Sequence, residues 1–503
     1  MESRFLSQSD PAAKRAFLEM NQDPANCAKA GSRLGVVLAL ALLFGAASSF
    51  AQTANIDLAK ERGAVIPKVT CLADSTQSYS LYLPSNYSPD RRWPIIYAFD
   101  PFARGKVPVD LYKDAAEKFG YIVVGSNNAR NGPGALEMAA AEADWADTHR
   151  RLMIDKDRVY TTGLSGGARF ATSFALYCYT CSIAGVIAHG ATYPVKEGMP
   201  ANDHFLYYVA VGDQDFNFPE VAALREKKDA SKAEFRVNVY HGTHQWAPPD
   251  VVEDAIEWLE LKAMQAGKEK PNPAFIQQQW AKTQTEASQA EQSGDALKQY
   301  YALRSQVFDF KGLMDVSRLQ GELDTFKKSK VLKQARREEN QQIDKQSSLT
   351  ASAGADLAQL GQIGPEQASL AKQRVISVFA DLHRQAKSDL RNHVVYVRAI
   401  NELYIQGIED GQQAFRDQEF PHAADYFELM ADAVPDQSWP LLLLAETRVR
   451  MGNKKAALKA LDEAAKRGIK SPDSLTKDPE LAPLASEPAF QKIVESVSAK
   501  SAS

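Results

Sequence analysis

At 503 residues the chain is too long for a single hydrophobic core, so two or more domains are expected. Hydrophobic residues at 45% and charged residues at 24% exclude general disorder. A net charge of -4 leaves no basic surplus for nucleic acid or an anionic membrane surface.

Lys29 and Arg33 precede an apolar run from Leu34 to Ala47, and Ser49-Phe50-Ala51 offers small residues where a signal peptidase reads. This order predicts a leader over residues 1–51, cleavage near Gln52, and export to the periplasm or the medium. The alternative is an uncleaved leader serving as a membrane anchor, although the run is shorter than the roughly 20 residues of a spanning helix. No Cys follows closely, which speaks against a lipid anchor, and Met20 is a second candidate start. Of the four cysteines, Cys27 falls in the leader. Cys71, Cys178 and Cys181 remain, an odd set that predicts one bridge and one free thiol, with the pairing open. The Cys178/Cys181 spacing lacks the two further ligands that a zinc site needs.

From Pro67 to Gly267 short β-rich runs alternate with helical stretches. Strands are predicted at Gln77 to Pro84, Trp93 to Phe99, Tyr121 to Ser126, Arg158 to Gly163, Ile183 to His189, Phe205 to Val211 and Phe235 to Tyr240. Helices are predicted at Val109 to Phe119, Met138 to Met153, Gly167 to Tyr177 and Pro249 to Ala266. This alternation predicts an α/β domain over 52–266, with a doubly wound, mostly parallel sheet. A polar, proline-marked linker follows at 267–274. Beyond it, over 275–500, strand signals vanish and the chain is predicted all-helical, with helices such as Phe275 to Ala290 and Asp295 to Phe308. Ser347 to Pro365 reads as a loop or mobile connection.

Gly411, Ala414, Ala423, Phe427, Met430 and Pro435 alternate small and large residues as in a tetratricopeptide helix pair. A step of 34 residues leads to Ala445, Arg448, Ala457, Leu461 and Ala464, four of them small or apolar. This half resembles a tetratricopeptide array, which implies a concave face able to hold a protein partner.

Gly163-Leu164-Ser165-Gly166-Gly167 is a G-x-S-x-G motif between a β-rich run and a helical one, the setting in which a serine is lifted above a sheet on a sharp turn. The Gly166 amide can there help to hold an oxyanion. A serine needs a base, and His241 and His244 follow the last predicted strand. His244 is chosen because Gly242 lets the loop turn before presenting it, whereas His241 ends the strand. The acid is expected between serine and histidine, after the Phe205 strand. Asp215 has room to turn toward the base, and Asp213 reads as a turn cap. Asn127, Asn128 and Arg130 offer amides and a cation for a polar or carboxylate-bearing substrate, or serve their own loop's backbone. Trp246 walls the site or joins the core.

Ser165, Asp215 and His244 match the order and strand-end placement of the α/β-hydrolase triad. The segment from Pro67 to Gly267 resembles the esterase and polyhydroxybutyrate-depolymerase branch of that family, with some likeness to dienelactone hydrolases and prolyl-oligopeptidase-type domains. The resemblance implies hydrolysis of a small-molecule or polymeric carboxylic ester through an acyl-enzyme, with no metal or organic cofactor. One departure stands out. Where many members carry His-Gly, this chain has Ala98-Phe99-Asp100-Pro101-Phe102-Ala103-Arg104-Gly105, and Pro101 has no N–H. The second oxyanion donor then falls to Phe102 or a neighbouring amide, with Arg104 as partner for Asp100. Two other functions fit the residues. One is a peptidase of prolyl-oligopeptidase type, although no β-propeller blocks occur. The other is a catalytically silent shell whose helical repeats bind a protein.

Overall fold

Fully apolar runs such as Trp93–Phe99 cannot leave either face in water, and they become strands buried on both sides. The computed structural model describes residues 61–178, 180–194, 205–231, 234–469 and 471–501. The expected leader and Cys27 lie outside the described residues. Among them, eight strands form one sheet: β1 (Val65–Thr70), β2 (Ser78–Tyr82), β3 (Trp93–Phe99), β4 (Ile122–Ser126), β5 (Ile154–Leu164), β6 (Gly185–His189), β7 (Leu206–Gly212) and β8 (Phe235–Tyr240). Their order is β1-β2-β4-β3-β5-β6-β7-β8. β2 pairs antiparallel with β1 and β4, and all other pairings are parallel.

Helices Lys106–Phe119 and Pro249–Gln265 cover one face of the sheet through Val109, Tyr112, Val252 and Trp258. Helices Gly134–Arg151, Gly166–Tyr177 and Phe218–Ser231 cover the other through Ala140, Ala171, Phe174 and Val221. This is the doubly wound α/β-hydrolase fold. From β3 the chain crosses to β4 on one side, then returns to β5 on the other, so the strand order reverses beyond Phe99 and Leu164, the place where open α/β sheets bind ligands.

Two elements escape the sequence pattern. β1 carries Pro67 within a register shift between Ile66 and Val69, a place where an edge strand tolerates proline. Helix Phe218–Ser231 also buries charged residues against the helical half: Arg225 pairs with Glu339, and Asp229 accepts from Tyr300 and Arg304. Its apolar period is therefore masked. The structure bridges Cys178 to Cys181 and leaves Cys71 free and buried. Burial pushes the Cys71 thiol up to about 12, so it stays protonated.

The remainder is helical and contains its own core. The expected loop from Ser347 to Pro365 is a correction: residues up to Gln359 belong to one helix, Lys330–Gln359, followed by a 3-10 turn at Leu360–Gln362. Its small residues are contact residues rather than loop residues. Ala353, Leu357 and Leu360 pack with Phe379 and Leu403, and the Gly354 carbonyl accepts from Gln406 Nε2 at 2.9 Å. Ala423, Phe427, Met430, Ala445, Ala457, Leu461 and Ala464 share this core. Among the described residues no helix is long and apolar enough to cross a membrane.

Candidate functional site

β5 ends at Leu164 and the next helix starts at Gly166, leaving one residue for the turn. Ser165 accordingly adopts φ 55° and ψ -122°, a conformation that costs a non-glycine residue energy. A side chain at Gly163 would overlap the Gly167 carbonyl, and one at Gly167 the Phe99 carbonyl, so both positions require glycine. The Ser165 amide donates to the His189 carbonyl at 2.9 Å, tying the turn to the end of β6. The Gly166 and Gly167 amides open the helix, where the first N–H groups have no intrahelical acceptor.

The loop after β7 carries Asp213 and Asp215. Its amides face the sheet domain: Asp213 N–H donates to Tyr240 O (2.8 Å) and Gln214 N–H to Gly242 O (2.9 Å). Asp215 is fully buried. His244 Nδ1 lies 2.9 Å from Asp215 Oδ1 and 3.0 Å from Oδ2, and the ring of Phe216 rests against His244 at 4.3 Å. Beside this pair is Gly190, just past His189. A methyl group there would stand 2.8 Å from Asp215 Oδ2 and 3.0 Å from His244 Nδ1, so the end of β6 joins the serine turn to the acid–imidazole pair. Asp213 instead takes the exposed His241 (3.0 Å) and the Gly242 amide (3.1 Å).

Asp100 is buried and saturated with donors. Arg104 clamps it through Nε (2.8 Å) and Nη2 (2.9 Å), Trp246 Nε1 reaches Oδ2 (3.0 Å), and the Phe102 amide reaches Oδ1 (2.9 Å). The pairing with Arg104 follows the sequence expectation. The Phe102 amide corrects it, because its hydrogen is spent on Asp100 and is not directed at a reacting carbonyl. Trp246 is likewise an anchor, fixed to Asp100 and packed on His189 at 4.9 Å.

Asn127 and Asn128 are also corrected. Asn127 bonds Pro67 O and Ser80, while Asn128 accepts from the Ser78 amide (2.9 Å) and donates to Thr76 O (3.1 Å). Both carboxamides hold the antiparallel edge of the sheet. Arg130 is exposed and pairs by its backbone with Phe102. The next residue was not singled out: the Asn131 carboxamide lies directly against the Cα of Gly166, and its amide donates to Pro101 O at 3.0 Å.

His189, also unforeseen, is a structural histidine. Its Nδ1 faces the Ala247 amide and its Nε2 meets Tyr112 OH at 2.8 Å, in a chain continuing to Thr162 and the Ile187 carbonyl. Burial pushes its imidazole down to about 3, so it stays neutral.

The helical half reaches the same edge. Trp439 meets Phe102 edge-on at 6.0 Å, and helix His393–Arg416 brings Arg398, Asn401 and Glu409 to the acid loop and its surroundings. Glu409 is only partly exposed, and burial pushes its carboxyl up to about 7 despite the opposing charges of His244, Arg169 and Arg416. Nothing local in the sequence marks these residues, since they act across more than 150 positions of chain. Among the described residues no cluster of His, Cys, Asp or Glu could hold a metal ion.

Neither a protein-family model nor a curated protein matches this sequence. Solved structures align with about two fifths of this chain, in its N-terminal part. A fluorophosphonate-binding serine hydrolase F from Staphylococcus aureus is 14% identical over 39% of this chain and 98% of its own, with a TM-score of 0.32. An S-formylglutathione hydrolase from the same organism is 14% identical over 39% and 96%, with a TM-score of 0.31. A hyperthermophilic esterase from Pyrobaculum calidifontis is 11% identical over 41% and 89%, with a TM-score of 0.33.

Proposed function

We propose that this chain is a serine hydrolase acting on carboxylic esters. Ser165 attacks the ester carbonyl, His244 takes its proton and returns it to the leaving alcohol, and water then releases the acid by the same route. Asp215 holds the imidazole tautomer and stabilises the imidazolium. The observation that carries this reading is the hydrogen bond from His244 Nδ1 to a fully buried carboxylate beside the strained serine turn.

The Gly166 amide is one oxyanion donor in this scheme. With the Phe102 amide spent on Asp100, we assign the second donor to Asn131 Nδ2, on the carboxamide whose Oδ1 packs against Gly166. A shell without activity is the rival reading, favoured by the Phe102–Asp100 bond. A fluorophosphonate probe separates the two. We expect rapid labelling of the wild-type chain, none of Ser165→Ala, and p-nitrophenyl butyrate hydrolysis lost in that variant with unchanged circular dichroism. Full activity in Ser165→Ala rejects the scheme. Peptide substrates run beside the esters address the prolyl-oligopeptidase alternative.

Export is part of the proposal, and the mass of the mature chain from its native host tests cleavage near Gln52. The helical half is read as tetratricopeptide-like pairs, supported by the close packing of Gly411 on Phe427 and Gly407 on Met430.

A further inference from the structure

Three carbonyls around Asp215 point away from the sheet domain, and helices of the C-terminal half take all three. Arg398 Nε donates to Asp213 O at 2.6 Å, Asn401 Nδ2 to Gln214 O at 3.4 Å, and Gln346 Nε2 to Phe216 O at 3.0 Å. Arg398 and Gln346 are buried. The Arg398 guanidinium also lies 3.6 Å over the ring of Phe218, which ends the same loop. Gln346 is held in turn by Glu402 at 2.8 Å, on the helix that supplies Arg398. On the opposite side the amides of Asp213 and Gln214 are bonded to Tyr240 O and Gly242 O. The acid loop is therefore held from two sides, two of its N–H groups by the sheet domain and three of its C=O groups by the helical half, while Asp215 N–H and C=O close turns within it.

We propose that Arg398, with Asn401 and Gln346, is a positioning residue for hydrolysis, so that the active site is complete only when the helical half is docked. The inference rests on the Ser165–His244–Asp215 reading. Its physical basis is that Asp215 stands between the clamped carbonyls of Gln214 and Phe216, and that Asp215 and Phe216 are the loop residues against His244. Loosening the clamp lets the carboxylate and the imidazole drift, and a misplacement of about 1 Å costs on the order of 10²-fold in rate.

The test uses the full chain as Arg398→Ala, Arg398→Lys, Asn401→Ala and Gln346→Leu. Fluorophosphonate labelling rates and kcat and KM for p-nitrophenyl butyrate are measured where circular dichroism shows each variant folded. We expect Arg398→Ala to lower kcat and labelling by roughly 10- to 100-fold with KM within about twofold. Arg398→Lys, which keeps a charged donor, recovers part of the loss. Should Arg398→Ala not fold, Asn401→Ala and Gln346→Leu carry the same comparison with smaller losses. A purely structural clamp would lower Tm while leaving kcat of the folded variants at the wild-type value, and that result overturns the inference alone. A wild-type chain that is not labelled at all overturns the serine reading, and this inference with it.

Discussion

Gly190 occupies a left-handed conformation at φ +62°, and an added methyl group would press on both members of the acid–imidazole pair, at 2.8 and 3.0 Å. Non-bonded heavy atoms settle nearer 3.5 Å, so relief takes a shift of about 0.7 Å from Asp215 Oδ2 and about 0.5 Å from His244 Nδ1. Asp215 is poorly placed to shift, being fully buried with Oδ1 also accepting the Asn217 amide at 2.9 Å. His244, whose side chain is 13% exposed, is the one that yields, and its bond to Asp215 lengthens. Gly190→Ala should therefore lower kcat for p-nitrophenyl butyrate by roughly 10²-fold, as misplacements of this scale do. The fold loses less: a left-handed alanine costs roughly 1–2 kcal/mol, or about 2–8 °C of Tm in a domain of this size. Gly267→Ala is the matched control, with φ +70° and open space around the new methyl group. It should show a similar backbone cost and wild-type kinetics. Equal kinetics in both folded variants would refute the role given to the Asp215–His244 pair.

Asn131→Ala should reduce kcat by roughly 10²-fold with little change in KM, the loss typical of one oxyanion donor; burst-phase kinetics within a few-fold of wild type would return that role to a backbone amide. His189 sets an acid limit on stability. Unfolded, its imidazole takes a proton below about pH 6.5, whereas in the folded chain burial holds it down to about 3. Stability is complete above the upper value and falls by up to about 1.4 kcal/mol per unit as pH drops toward the lower one, because only the unfolded state gains the proton. Urea melts of His189→Gln should lack this contribution, and identical pH slopes would contradict it. Glu409, pushed up to about 7 by burial, becomes an anion beside His244 as pH rises, with Asp410 opposing and Arg169 and Arg416 favouring ionisation. Glu409→Gln removes that charge, so the kcat/KM profile should change around pH 7, where this carboxyl titrates. A profile identical to wild type would show that Glu409 does not act on the site.

Much of the sheet domain was legible because its signals are local. β3 and β8 run over the residues predicted for them: β3 is buried along its whole length and has no polar residue to blur its ends, while β8 at the sheet edge alternates apolar residues with Arg236 and Asn238. The serine turn was legible for the same reason: Gly163 and Gly167 are demanded by backbone collisions within a few residues. Asp215 and His244 could be chosen by chain order and loop room alone, and their hydrogen bond is consistent with that choice. The other site groups were harder to read for another reason. The Asn127 and Asn128 carboxamides and the Phe102 amide lie at the correct edge of the sheet, but each is consumed by a neighbour distant in sequence or by a buried carboxylate. Sequence reports which groups can bond, not which bonds are already made.

That the helical half reaches the acid loop was not legible for a further reason. Read alone, residues such as Arg398, Asn401 and Glu402 look like the solvated face of an amphipathic helix, because polar residues at such spacing usually face water. Here that face meets the backbone carbonyls of another domain, and burial pushes the Arg398 guanidinium down to about 10. Backbone carbonyls carry no sequence identity, so no pattern in the chain could announce this acceptor. Such contacts also explain why a helical segment can be indispensable to a site without supplying a reacting atom. A carboxylate that orients an imidazole works only within a few tenths of an ångström, and a loop fastened along its amides alone can still rock about that edge. Fastening its carbonyls as well removes the motion, and in this chain Gln346, Arg398 and Asn401 lie 130, 185 and 187 residues beyond the carbonyls they hold.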